Sequence, residues 1–186
     1  MAVVLNLGVP AAQLLFAYCA HSTLRRQVEP WAIAQVQKAM ENGNEVKTAA
    51  MWNALLSVDT VDLDEKGFVS IDGLGKELEK NTVVTALYLS HNQIETIDAL
   101  AALEKNTTLQ YLWLHGNQIE NIDALGPALE KNTALQELDL RGNQIKTVDA
   151  LNPALEKNTA LQQLDLAGNQ IKTIDALAPA LEKNTT

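Results

Sequence analysis

The sequence predicts a right-handed α/β solenoid, with a parallel sheet on its concave side, short helices on its convex side, and an α-helical N-terminal cap. Three observations carry that expectation. Residues 58–186 repeat with a period of about 26 residues, residues 1–57 do not share the repeat, and each unit opens on strand-like alternation and closes on a helix-forming tract. A fixed period of this length means that each unit buries its apolar side against the next, so the copies stack into one continuous core.

The copies are easily aligned. LQELDLRGNQIKTVDALNPALEKNTA at 135–160 is followed by LQQLDLAGNQIKTIDALAPALEKNTT at 161–186, and the two agree at 21 of 26 positions. LQYLWLHGNQIENIDALGPALEKNTA stands at 109–134. VTALYLSHNQIETIDALAALEKNTT at 84–108 is one residue shorter and lacks the proline, and VDTVDLDEKGFVSIDGLGKELEKNTV at 58–83 is a worn first copy. Two segments are therefore expected: a helical cap over 1–57 and five repeats over 58–186.

Within one unit the elements follow in order. Leu138 and Leu140 alternate with Glu137, Asp139 and Arg141, the period of a strand with one face buried. Leu135, Leu138, Leu140, Ile145, Val148, Leu151 and Leu155 can then all point inward within a single coil. Asn92, Asn117, Asn143 and Asn169 recur where each strand turns away, so a ladder of side-chain amides bonded to the backbone is expected there. Pro127, Pro153 and Pro179 suit the first turn of a short helix, where a missing N–H costs little. The ALEK tract that follows contains good helix formers. Asn132, Asn158 and Asn184 are expected to end the helix in the left-handed conformation. A helix this short does not persist alone, so packing against neighbouring coils must hold it. Successive strands would stack at about 4.8 Å.

The pattern LxxLxLxxN, followed by QI and a second apolar half, resembles the leucine-rich repeat. The resemblance covers residues 58–186. Its ALEKNTxL part is similar to the longer, ribonuclease-inhibitor-like type, with a helix on the outer face, and its IxxID part to the shorter type. The resemblance implies a module that binds proteins on its concave face, with no cofactor.

Charge narrows the partners. Residues 1–57 hold three acids and four bases, and residues 58–186 hold the other twenty acids and ten bases. An acidic repeat body repels phosphate backbones, which argues against nucleic acid and favours basic or mixed-charge protein surfaces. Cys19 is the only cysteine, so neither a disulfide framework nor a cysteine-based zinc site is available within one chain. It reads as a small buried hydrophobe, and the absence of a cysteine-rich cap points to a cytoplasmic protein.

No charged side chain precedes Arg25, and Val3–Ala20 is mostly apolar. A basic start is missing for a secretory signal, and Asn6, Gly8, Pro10 and Gln13 interrupt a membrane span. A packed cap is the expectation, with a signal or an anchor as the alternatives. Pro10–Val28, Trp31–Met40 and Val46–Leu56 read as three helical stretches. The last unit stops where the next leucine would follow, which suggests an open C-terminal coil available to further repeats or to another copy.

Two imitations of ligand sites fall short. Asp62–Gly73 has the acidic start and central glycine of a calcium loop, but Lys66 and Gly73 stand where an oxygen ligand and a bidentate glutamate belong. His91 and His115 follow successive strands and would sit close together, yet no third metal ligand is spaced to join them. No other catalytic pattern appears, which leaves a metal-assisted enzyme as a remote alternative.

The most informative residues are those that break the repeat. The middle outward position of the strands reads Asp62, Tyr88, Trp113, Asp139, Asp165. Its flanking positions read Thr60, Ala86, Tyr111, Glu137, Gln163 and Asp64, Ser90, His115, Arg141, Ala167. Asp139 and Asp165 read as solvated background. Nothing in a copied unit requires large rings there, so Tyr88, His91, Tyr111, Trp113 and His115, with Glu137 and Arg141 beside them, form the candidate partner-binding patch. The competing reading is ring stacking between adjacent strands, worth about 0.5–1 kcal/mol a pair.

Overall fold

The computed structural model describes residues 4–6, 49–178 and 180. Five three-residue strands, one per repeat, line up in parallel: β2 (Thr60–Asp62), β3 (Ala86–Tyr88), β4 (Tyr111–Trp113), β5 (Glu137–Asp139) and β6 (Gln163–Asp165). The register is uniform. Val61, Leu87, Leu112, Leu138 and Leu164 sit opposite one another, all buried. β1 (Val4–Asn6) pairs antiparallel with β6, so the sheet order is β1-β6-β5-β4-β3-β2. The edge of the last repeat's strand, expected to be open, is thus occupied by this chain's own backbone.

Short helices return each strand to the next. They are α1 (Ala49–Leu55), α2 (Leu74–Lys80), α3 (Leu125–Lys131) and α4 (Asn152–Lys157), with 3-10 turns at Asp98–Glu104, Asp149–Leu151 and Asp175–Leu177. The unit at 84–108 has the longest 3-10 segment because it is one residue short. A 3-10 helix rises about 2.0 Å per residue against about 1.5 Å for an α-helix, so tighter winding spans the gap with fewer residues. α1 falls within the helical stretch expected at Val46–Leu56. The stretches expected at Pro10–Val28 and Trp31–Met40, together with Cys19, Pro179 and Asn184, lie outside the described residues.

The inward leucines and isoleucines form one core. Leu135, Leu138, Leu140, Ile145, Val148, Leu151 and Leu155 are all buried, and their equivalents in the other coils join them. Trp52 of α1 packs on Phe68 with ring centroids 5.7 Å apart, tying that helix to the first coil. Phe68 and Ile71, inside the calcium-loop imitation, belong to this core, and Lys66 Nζ donates to Asp64 O where a cation would sit.

Asparagines stitch the coils along two lines. In the first, the Asn143 amide donates to Leu140 O and to Leu114 O of the preceding coil, while its oxygen accepts Ile119 N–H. Asn92, Asn117 and Asn169 repeat the scheme. The second line follows the helices, at Asn81, Asn106, Asn132 and Asn158. Asn132 Nδ2 donates to Leu103 O and Asn106 O, and its oxygen accepts the N–H groups of Ala134 and Leu135. The left-handed ending expected at Asn132 and Asn158 does not form. Both are extended, with φ near −70° and ψ of 133° and 125°, because their side chains rather than a left-handed turn satisfy the helix ends.

Candidate interaction face

The uniform register turns the outward strand positions into rows across the concave side. Tyr88 lies opposite Trp113, and Trp113 opposite Asp139. The two rings pack with centroids 4.3 Å apart and planes inclined by 38°. Trp113 Nε1 donates to Glu137 Oε1 at 2.8 Å. Tyr111 and Glu137 are direct neighbours in the next row.

Tyr88 has no exposed surface, and β3 is buried on both of its faces. It therefore serves as a floor rather than as the projecting ring expected of an outward position. Tyr111, Trp113, His115 and Glu137 are half-buried, and His91 and Arg141 are exposed. The stacked pair and the charged groups around it form one contiguous cluster.

At the centre of that cluster stands Asp139, which is not the solvated background expected from its strand position. It is 5% exposed. Its Oδ2 lies 2.6 Å from Arg141 Nη2 and 3.1 Å from His115 Nδ1, and its Oδ1 accepts Arg141 N–H. Burial alone would raise its pKa, but the contacts with His115 and Arg141 prevail and hold it at about 2. Asp165 is likewise buried and caps Ala167 N–H, and it lies 3.3 Å from Arg141 Nε. Aspartate at this position therefore has a local role, since in three coils it accepts the N–H two residues on. Where Tyr88 replaces it, Asp64 Oδ1 of the preceding coil takes Ser90 N–H instead, at 2.6 Å.

Burial raises the pKa of Asp64, Glu137 and Asp165, and of the Tyr111 hydroxyl, where nearby Glu137 adds to the effect. Arg141 is the cation of this row. Its own pKa is raised by the hydrogen bond to Asp139.

The histidines meet through an unusual backbone. His91 has φ +53°, in the left-handed region, where the three following coils place Gly116, Gly142 and Gly168 at +62° to +70°. Its ring lies over Gly116, so that a Cβ there would come within 2.6 Å of His91 Nδ1. His91 meets the His115 ring edge to face at 4.8 Å, and His115 in turn lies 6.3 Å from Trp113. A bulky residue held at positive φ stores strain that the surrounding contacts must sustain. Aligning the glycine position of the repeats would have flagged it. Among the described residues no group of three or more His, Cys, Asp or Glu side chains is placed to hold a metal ion, and no helix is long and apolar enough to cross a membrane.

A family model for leucine-rich repeats in two copies matches residues 82–127 and 133–179, together half of the chain. The chain belongs to the leucine-rich-repeat family. This leucine-rich-repeat chain is similar in structure to the actin-binding site 2 of leiomodin-1, with a TM-score of 0.50, 20% identity, and coverage of 81% of this chain and 87% of that one. It also matches an internalin (inlF) from Listeria monocytogenes, at a TM-score of 0.39 and 22% identity, over 75% of this chain and 50% of that one. A second internalin (inlC2) from the same organism matches at 0.30 and 20%, over 80% and 88%. No curated protein sequence matches it. At these identities the likeness is one of fold.

Proposed function

We propose that this leucine-rich-repeat protein is an interaction module that binds a protein or peptide partner on its concave face, centred on the second and third repeats. The observation that carries the reading is the departure of Tyr88, Tyr111 and Trp113 from an otherwise copied unit, gathered into one cluster with Glu137, His115 and Arg141. Half-buried aromatics ringed by polar groups are the composition of interface hot spots. The rings do stack on each other across strands, and that packing pre-forms the surface without excluding a partner. The likeness to leiomodin-1's actin-binding site 2 supports a protein-binding use of the fold but does not name the partner.

Capture of a partner by the intact chain, followed by measurement of its affinity for variants, tests the reading. Trp113→Ala and Arg141→Ala should each weaken binding about tenfold or more, the range of hot-spot truncations, while circular dichroism shows the parent's fold. Unchanged affinity in both folded variants would place the interface elsewhere.

A further inference from the structure

The parallel order of the sheet is broken at β1. Val4–Asn6 precedes every repeat in the chain, yet it lies antiparallel on β6, at the end of the sheet farthest from β2. The hydrogen bonds of β6 show which groups this strand meets. Gln163 N–H donates to Gln136 O, and Asp165 O accepts Leu140 N–H, so both residues face β5. By the alternation of a strand, Leu164 turns its N–H and C=O to the other edge, where Leu5 stands directly opposite. Such an edge is a template for any strand of the right register. β1 lies outside the repeats and their asparagine lines, and its pairing spans three residues. It is therefore the strand of this sheet that leaves most readily.

The edge beneath it is self-complementary. A two-fold axis through Leu164 lays β6 antiparallel on its own copy, in the register that β1 now occupies. Leu164 then exchanges both of its backbone bonds with the second copy's Leu164, in the place Leu5 takes. Gln163 falls opposite the second copy's Asp165, so an amide meets a carboxylate twice and no two carboxylates face each other. One coil earlier, Gln136 O and Leu140 N–H bond to the following coil. Their equivalents here are Gln162 O and Leu166 N–H, and the two-fold pairing brings Leu166 N–H to the second copy's Gln162 O. The apolar side chains agree. Ile171 and Ile174 are half-buried, whereas Ile145 and Val148 at the same places one coil earlier are buried. A second coil laid against this end would cover them.

We propose that Val4–Asn6 is a releasable strap over a self-association edge, and that its displacement lets β6 pair with β6 of a second copy, joining the two sheets into one. The strap belongs to the same chain and competes for the edge at high effective concentration, so the closed monomer is the resting form.

Sedimentation equilibrium of the intact chain and of Leu5→Pro tests this, with circular dichroism to show that the fold is kept. Proline at this position removes the N–H directed at Leu164 and leaves β6 itself unaltered. The variant should dimerise with a dissociation constant about tenfold or more below the parent's, because the strap no longer competes. Adding Gln163→Glu sets carboxylates opposite one another across the two-fold axis and should weaken that dimer about fivefold. Hydrogen exchange of the parent gives a reading that needs no variant. Glu137 N–H donates to Gln110 O, so Leu138 faces β6 from within the sheet. Leu164 N–H should exchange about tenfold or more faster than Leu138 N–H. A folded Leu5→Pro chain that stays monomeric, a parent that dimerises as tightly, a dimer indifferent to Gln163→Glu, or equal protection of the two amides would overturn the proposal.

Discussion

Replacing Asn143 by alanine probes what joins one coil to the next. The side chain is 5% exposed and serves four backbone groups, Arg141 O among them at 3.3 Å. It donates to Leu140 O and Leu114 O at 3.0 Å each, and it accepts Ile119 N–H at 3.1 Å. Leu114 O keeps the amide of Asn117 and Leu140 O that of Asn169, so the truncation orphans the buried Ile119 N–H, at about 1–3 kcal/mol when fully desolvated, and removes one of two donors from each carbonyl. The two lost carbonyl bonds add about 0.5–1.5 kcal/mol each, and a water entering the vacated space offsets part of the sum, so a total of about 2–4 kcal/mol is expected. Asn169 makes the equivalent three bonds but is half-buried, in the last described repeat. Bulk water can replace its bonds more readily, and Asn169→Ala should cost less than half as much. Urea unfolding of both variants by circular dichroism supplies the comparison, with the slope checked for constancy so that midpoints report stability. If Asn143→Ala lies within about 1 kcal/mol of the parent, or matches Asn169→Ala, the amide ladder is not what holds the coils together.

The left-handed turn at His91 makes a coupled prediction. Gly116→Ala sets a Cβ 2.6 Å from His91 Nδ1 at φ +69° and should cost more than Gly142→Ala, whose nearest neighbour stands at 3.6 Å. About 1–2 kcal/mol is expected from the backbone in each case, with the steric excess confined to the first. Adding His91→Gly should remove that excess, and strict additivity in the double-mutant cycle would refute the contact. Acid unfolding gives a third test. Asp139 titrates at about 2 against an ordinary value of 3.8, so its stabilisation is complete above the ordinary value and is lost as pH falls towards 2. Asp64, Glu137 and Asp165 are shifted upward, so their ionised forms oppose folding, and that opposition lifts as pH falls through their raised values. Urea midpoints should therefore rise modestly from neutral to mildly acidic pH and then drop. Asp139→Asn should flatten the drop, and an unaltered acid limb would contradict the assignment.

The architecture was legible because every coil repeats the same local choices. Leu138 and Leu140 alternate with polar residues as a strand must, and five copies at one spacing leave little freedom in how they stack. The patch was legible for the opposite reason: Trp113 and Tyr88 depart from a template that the neighbouring coils define. Other features depended on contacts between coils, which a single unit does not display. Asn132 looks like a left-handed helix end because its sequence neighbours permit one, whereas its actual partners, Leu103 and Asn106, lie in the preceding repeat. Asp139 looks like surface charge because its strand position faces outward, and its burial against Arg141 and His115 arises only once β4 and β5 are paired. His91 is visible as a ring but not as a strained turn, since that requires reading it against Gly116 and Gly142.

The two lines of asparagine bonds bear on how any partner must approach. One runs where the strands turn away and the other along the helices, so each coil is held to its neighbour on two sides of the core. A solenoid tethered along one line alone would open and close like a fan. Bound along both, it presents its concave side as a template whose curvature is set before any encounter. Little conformational entropy is then spent by the template on association, and the ordering cost falls on whatever docks there. A flexible segment that moulds itself to the rows is better suited to this face than a rigid globular surface of fixed and different curvature.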